Sequence, residues 1–241
     1  MVARKLLALI GALGVAYLAA PSFAGASPLR APNKRIRHGV SANWAGYVVV
    51  GFGPHSSVSA SWIQPGVSCA TTPNAFSAFW VGLDGDGSKT VEQTGTEASC
   101  EGGVASYNAW YEMFPKRPFN YPNPVLPGDN LTATVTVIGR GRFQLSLTDT
   151  TQGWSQTTVK KRRSAKRFSA EVIAEAPSSR REVLPLAAFG TVGFSAVAID
   201  GSPLTGATPG HEALTMVSGA TVKATPSAIS SSGFSVTWEH E

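Results

Sequence analysis

From Val40 onward the chain alternates apolar and polar residues with a period of two, and Gly or Pro interrupts it every 8 to 15 residues. Successive side chains of a strand point to opposite faces, so this pattern suits half-buried strands and is incompatible with an amphipathic helix. The strands expected on this basis are Trp44–Val50, Val58–Ile63, Ala75–Leu83, Lys89–Gly95, Ala105–Phe114, Leu131–Ile138, Arg142–Thr148, Trp154–Val159, Phe168–Glu175, Thr191–Ile199, Ala213–Val217, Thr221–Ala224 and Phe234–Glu239. Turn signals separate them at Gly51-Phe52-Gly53-Pro54, Asp84-Gly85-Asp86-Gly87, Leu126-Pro127-Gly128-Asp129 and Gly139-Arg140-Gly141. Only Arg181 to Ala188 carries a weak helical stripe. So many short antiparallel strands predict an all-β fold, a two-sheet sandwich of the jelly-roll type. No repeat of fixed period is present, which argues against a propeller.

The first 26 residues have the pattern of an export signal: Arg4 and Lys5, then the apolar run Leu6 to Ala20, then Ala24-Gly25-Ala26 for signal peptidase. The run is short for a bilayer span of roughly 20 apolar residues, and Pro21 interrupts it. The expectation is cleavage after Ala26 and a secreted, extracellular protein with no stable membrane association. About 215 residues remain, enough for one domain with its own core, expected over 40–241. In an exported chain the only two cysteines, Cys69 and Cys100, most simply form one disulfide; the alternative is two buried thiols.

The net charge of +5 resides outside that domain. Arg4 and Lys5 belong to the signal, and Arg30, Lys34, Arg35 and Arg37 to the Pro-containing segment Ser27–Gly39, leaving 14 positive and 15 negative residues from Val40 on. The run Lys160, Lys161, Arg162, Arg163, Lys166 and Arg167 reads as a solvated loop and not as a nucleic-acid surface, because no nucleic-acid module accompanies it. No metal or cofactor is expected. There is no Gly-x-Ser-x-Gly or His-Glu-x-x-His element, His38, His55, His211 and His240 are scattered, and the Asp84–Ser88 run lacks the glutamate that a calcium loop needs.

Two stretches stand out. Along Ser106–Phe114, one face carries Ser106, Asn108, Trp110, Glu112 and Phe114, an unusual mixture for a core and a natural one for a substrate groove. In Phe168–Glu175, Ala170, Val172 and Ala174 form a small apolar face opposite Glu171, Ile173 and Glu175. On the intervening strand, Val91, Gln93 and Gly95 align, and Gly95 leaves room for a ligand backbone. A half-exposed sheet of no catalytic use would show the same alternation.

Five elements together carry a resemblance: Asn43-Trp44-Ala45-Gly46-Tyr47, Trp80-Val81-Gly82-Leu83-Asp84-Gly85, Glu92-Gln93-Thr94-Gly95, Ala109-Trp110-Tyr111-Glu112-Met113-Phe114-Pro115 and Ala170-Glu171-Val172-Ile173-Ala174-Glu175. In this order the chain resembles the glutamic peptidases (eqolisins), secreted acid endopeptidases built on a sandwich of two curved sheets. The resemblance implies Gln93 and Glu175 as a catalytic dyad, with Glu171 as the fallback one repeat earlier. It also implies Trp80, Asp84, Trp110 and Glu112 as cleft residues, polypeptide substrates, and a monomer without cofactor. Glutamate would take a proton from water and return it to the leaving amine, usable in mild acid with an ordinary pKa near ~4.3. The glutamine amide would stabilise the oxyanion at any acidic pH, where histidine would be charged. Asn108 stands where the family carries Asp, Thr96-Glu97 replaces Val-Asp, and Val172 replaces an aromatic. These changes either raise the pH optimum by removing acidic neighbours or weaken activity. Ser27–Gly39 is short for an inhibitory propeptide, although its basic character suits neutralising an acidic cleft. Two rival readings remain open at this point: a glycosidase using Glu112 and Glu175, and a non-catalytic carbohydrate- or protein-binding module.

Overall fold

The structure, a computed structural model, describes residues 28–179 and 182–241. The expected signal segment lies outside them. Among the described residues there are seventeen strands and no helix: β1 Arg35–Arg37, β2 Val40–Ser41, β3 Trp44–Val50, β4 Ser57–Ile63, β5 Ala75–Leu83, β6 Val91–Glu101, β7 Val104–Phe114, β8 Phe119–Asn120, β9 Asn130–Val137, β10 Arg142–Asp149, β11 Trp154–Lys161, β12 Ser169–Glu175, β13 Thr191–Ile199, β14 Ser202–Pro203, β15 His211–Ser218, β16 Thr221–Pro226 and β17 Phe234–Trp238. Every strand expected from the alternation is present, with ends displaced by a few residues. The largest difference is β6, which continues through Cys100 to a hairpin at Gly102-Gly103. Arg181 lies outside the described residues, but the rest of the weak helical candidate is extended: Val183 bridges Ser178 and Leu186 bridges Phe76. Pro185 supplies no N–H for a helical ladder there.

The strands form two sheets. One runs β15-β3-β12-β5-β6-β7-β8 and is antiparallel throughout. The other runs β1-β2-β15-β16-β17-β13-β4-β9-β10-β11, with β14 paired to β13 and a single parallel pairing between β2 and β15. Strand β15 is shared and closes one side of the sandwich. Between the sheets lies the main core, where Phe79, Val81, Ala170, Val172 and Ala174 of the first sheet meet Trp62, Leu131, Phe143, Leu145 and Phe194 of the second. Cys69 and Cys100 form a disulfide, tying the loop after β4 to the end of β6.

The opposite face of the first sheet does not meet solvent as a half-buried sheet would. It carries a second, smaller cluster of Trp44, Val48, Ala78, Trp80, Val91, Trp110, Ile173 and Leu214. Gly95 allows that cluster to form. A Cβ there would overlap the Phe79 carbonyl oxygen and lie 2.6 Å from Trp80 Cβ, so the space read as room for a ligand is filled by Trp80 of the neighbouring strand. Overpacking of this kind costs about 1–3 kcal/mol. Gly95→Ala should therefore lower the unfolding free energy by that amount, read as a lower midpoint of denaturant unfolding, and an unchanged midpoint would show the neighbours to be free to move.

Candidate active site

Register places the polar residues of the first sheet in rows. Glu171, Gly82, Gln93 and Glu112 lie side by side on β12, β5, β6 and β7. Two residues along come Ile173, Trp80, Gly95 and Trp110, and two further Glu175, Ala78, Glu97 and Asn108. The tryptophans of the middle row form a floor between an amide–carboxyl row and a second carboxyl row. Gly82 keeps the first row open, since a Cβ there would lie 2.8 Å from the Trp80 ring and 3.1 Å from Gln93 Cβ.

Across this floor lies the chain's own N-terminal segment. Its Arg30–Ala31 peptide group meets side chains from both polar rows. Gln93 Nε2 donates to the Arg30 carbonyl oxygen at 2.7 Å, and the Ala31 N–H donates to Glu175 Oε1 at 2.9 Å. The Arg30 N–H donates to Glu112 Oε2 at 3.0 Å. Downstream, the Ala31 carbonyl accepts from Trp44 Nε1 at 3.0 Å and from Asn43 Nδ2 at 3.3 Å. Upstream, Leu29 exchanges both backbone hydrogen bonds with Ser178, at 2.9 and 2.8 Å. A peptide is thus held by its backbone on both sides of one amide bond, as in strand addition to a sheet.

Glu175 is fully buried. Its second oxygen accepts from Trp80 Nε1 at 2.9 Å, and Asn43 Nδ2 approaches Oε1 at 3.5 Å. Burial raises its pKa well above the usual carboxylate range and the Glu112 charge raises it further, against the opposing pull of Arg30 and the Trp80 and Ala31 N–H groups. Glu112 is pushed up to about 8, again chiefly by burial, with Arg30 opposing. The ordinary carboxyl pKa assumed from the sequence therefore does not describe this site while the segment covers it. A carboxyl with a raised pKa must first be ionised to act as a base, and once it has taken a proton it is well suited to giving that proton up again.

Of the residues expected in the cleft, Gln93, Glu175 and Glu112 bond the Arg30–Ala31 backbone, Trp110 lies under the Arg30 guanidinium, and Trp80 reaches the site through its bond to Glu175. Asp84 does not. Its two oxygens accept from the backbone N–H groups of Arg167 and Phe168 at 2.7 and 2.9 Å, fastening the start of β12 to the turn after β5. Glu171, the fallback, is also fully buried, and only the nearby Ser169 hydroxyl opposes the burial of its charge. Burial raises its pKa, and the charges of Asp84, Asp86 and Glu92 add to the effect. Arg30, Glu97, Asn43 and Trp44 were not among the expected cleft residues. Asn43 and Trp44 belong to the first element of the resemblance, which assigns them no role, and Glu97 enters it only as a departure from the family pattern.

Among the described residues no cluster of three or more His, Cys, Asp or Glu side chains has the arrangement of a metal site. The model of the peptidase A4 family matches residues 42–238. Aspergillopepsin-2 of Aspergillus niger is 28% identical over 137 residues, and the chain spans about half the length of this curated relative, 48%. A crystal structure of scytalido-glutamic peptidase with a transition-state-analogue inhibitor superposes with a TM-score of 0.72 at 24% identity, covering 82% of this chain and 98% of that one. Aspergilloglutamic peptidase from Aspergillus niger superposes with a TM-score of 0.60 at 25% identity, covering 68% of this chain and 99% of the other. The fold shared with these structures is the two-sheet sandwich expected from the strand pattern.

Proposed function

The chain belongs to the peptidase A4 family, and from that membership and the cleft we propose that it is a secreted endopeptidase hydrolysing polypeptides with Gln93 and Glu175. The observation that carries the reading is a single peptide bond spanned by the two side chains, with Gln93 on its carbonyl oxygen and Glu175 on its nitrogen. Peptide hydrolysis needs a base for water, a donor for the developing oxyanion and a proton for the departing amine. Glu175, once ionised, takes a proton from the attacking water. Its hydrogen bond to the amide nitrogen then gives that proton a short route to the leaving group. The Gln93 amide strengthens its bond as the carbonyl oxygen gains charge, which lowers the barrier and not merely the ground state. Glu112 holds the N–H before the bond, while Asn43 and Trp44 hold the carbonyl after it.

A neutral amide donor keeps working in acid. Purified protein assayed on denatured casein from about pH 2 to about pH 7 should release peptides. Gln93→Ala should lower kcat by roughly 10²–10³ with KM little changed, as expected for loss of one oxyanion donor. Undiminished kcat in that variant would remove Gln93 from the reaction. Cleavage of polysaccharide without cleavage of protein would replace the reading by that of a glycosidase.

A further inference from the structure

We infer that the pocket receiving the side chain before the cleaved bond selects arginine through Glu97, and that the first bond it presents is the chain's own Arg30–Ala31. The inference rests on the peptidase reading above and adds its specificity.

Arg30 is fully buried although it lies in a segment without a hydrophobic pattern. A buried guanidinium is costly unless it is paired and its donors are used. Here it forms an ion pair with Glu97, donates from Nη1 to the Pro28 carbonyl at 2.8 Å, and lies over the Trp110 ring at 4.4 Å, leaving only Nε without a hydrogen-bond partner. Glu97 is itself 4% exposed, and its other oxygen accepts from Ser99 Oγ at 2.6 Å. Glu112 and Glu175 add further carboxyls near the same charge. The pocket therefore has a flat aromatic wall, a buried acidic end and a hydroxyl that orients the acid. Those features match the planar, always charged guanidinium better than an aliphatic or neutral polar side chain.

The backbone on either side is placed as a substrate would be, so the seated segment is a bond awaiting cleavage. Water adds its oxygen to the Arg30 carbonyl carbon while Glu175 takes the water proton. The carbon–nitrogen bond breaks, and that proton passes to the Ala31 nitrogen. The products are a carboxylic acid at Arg30 and an amine at Ala31, and the acid's remaining proton then passes to the amine or to solvent.

The test uses the full chain and two peptides copying residues 27–34, one with arginine at position 30 and one with citrulline, its neutral isostere. Wild-type protein should be recovered with Ala31 as its first residue. It should cleave the arginine peptide roughly 10–100-fold faster in kcat/KM than the citrulline peptide, the range for a charge-assisted bond. Glu97→Gln should bring that ratio to within about threefold of unity, and Glu97→Asp should restore most of it. Should Glu97→Gln fail to fold, the two peptides on the wild type decide alone. Equal rates on both, or an intact Arg30–Ala31 bond in protein that degrades casein, would overturn this inference and leave the peptidase reading standing. No hydrolysis of any polypeptide would overturn both.

Discussion

Replacing Glu175 by Gln should lower kcat on an unfolded protein substrate by roughly 10²–10⁴, the range for removing a general acid–base group, with the β-rich circular dichroism spectrum unchanged. The substitution is close to isosteric. Glutamine can still meet Trp80 Nε1 through its carbonyl oxygen, so the floor of the cleft keeps its packing. What it cannot do is take a proton from water and return it to the amide nitrogen that Glu175 contacts at 2.9 Å. Substrate binding should survive, because the peptide backbone is also held by Glu112, Asn43, Trp44 and Ser178. The loss should therefore appear in kcat and leave KM within a few-fold. A large rise in KM with kcat preserved would make Glu175 a binding residue instead.

The second large effect is on stability. Four buried carboxyls, Glu92, Glu112, Glu171 and Glu175, have pKa values raised chiefly by burial, Glu92 and Glu112 to about 8. In the unfolded chain they titrate near ~4.3. Between these values the folded state holds more protons than the unfolded state, so unfolding becomes easier as pH rises. Stability from these groups is complete below about pH 4.3 and falls as pH rises, the share from Glu92 and Glu112 being lost through about pH 8. Even a total loss of about 3 kcal/mol would lower Tm by roughly 6–12 °C for a chain of this size. Thermal unfolding of the Glu175→Gln variant, which digests itself far more slowly and keeps Glu92, Glu112 and Glu171, should show its highest Tm in acid and a steady fall toward pH 8. A Tm that rises over that interval would mean that these carboxyls are ionised and paired in the folded protein.

The alternation of Ala170, Val172 and Ala174 against Glu171, Ile173 and Glu175 was legible in the sequence because it is local: one strand, one period, two faces. The faces of Ser106–Phe114 were legible for the same reason. Alternation alone could not distinguish a cleft from a half-exposed sheet, and the five elements of the family resemblance were needed to single out Gln93 and Glu175. Register was not legible. That Gln93 sits beside Gly82 and Glu112, with Glu175 beyond the Trp80–Trp110 floor, depends on pairing between strands far apart in sequence. Gly95 was misread for that reason, since its neighbour is Trp80 and not a ligand.

Asp84 carries a carboxylate in a quoted element, yet its oxygens are committed to the backbone of Arg167 and Phe168. Arg30 was the least legible of all. Its segment has no apolar period, and its burial is set by Glu97 and Trp110, which only the folded sheet brings to it. The one sequence signal was opposite charge: a basic segment ahead of a nearly neutral domain, and an acidic residue at position 97 where the family pattern is already altered.

The most direct measurement is a single turnover of a defined peptide in heavy-oxygen water, with wild-type and Glu175→Gln protein compared. Water attack assisted by Glu175 predicts that wild type places one heavy oxygen in every new carboxylate on the first turnover, with no acyl adduct on the protein, and that the variant is slower by the factor given above. First-turnover product without the label, or labelling at the wild-type rate in Glu175→Gln, would contradict it.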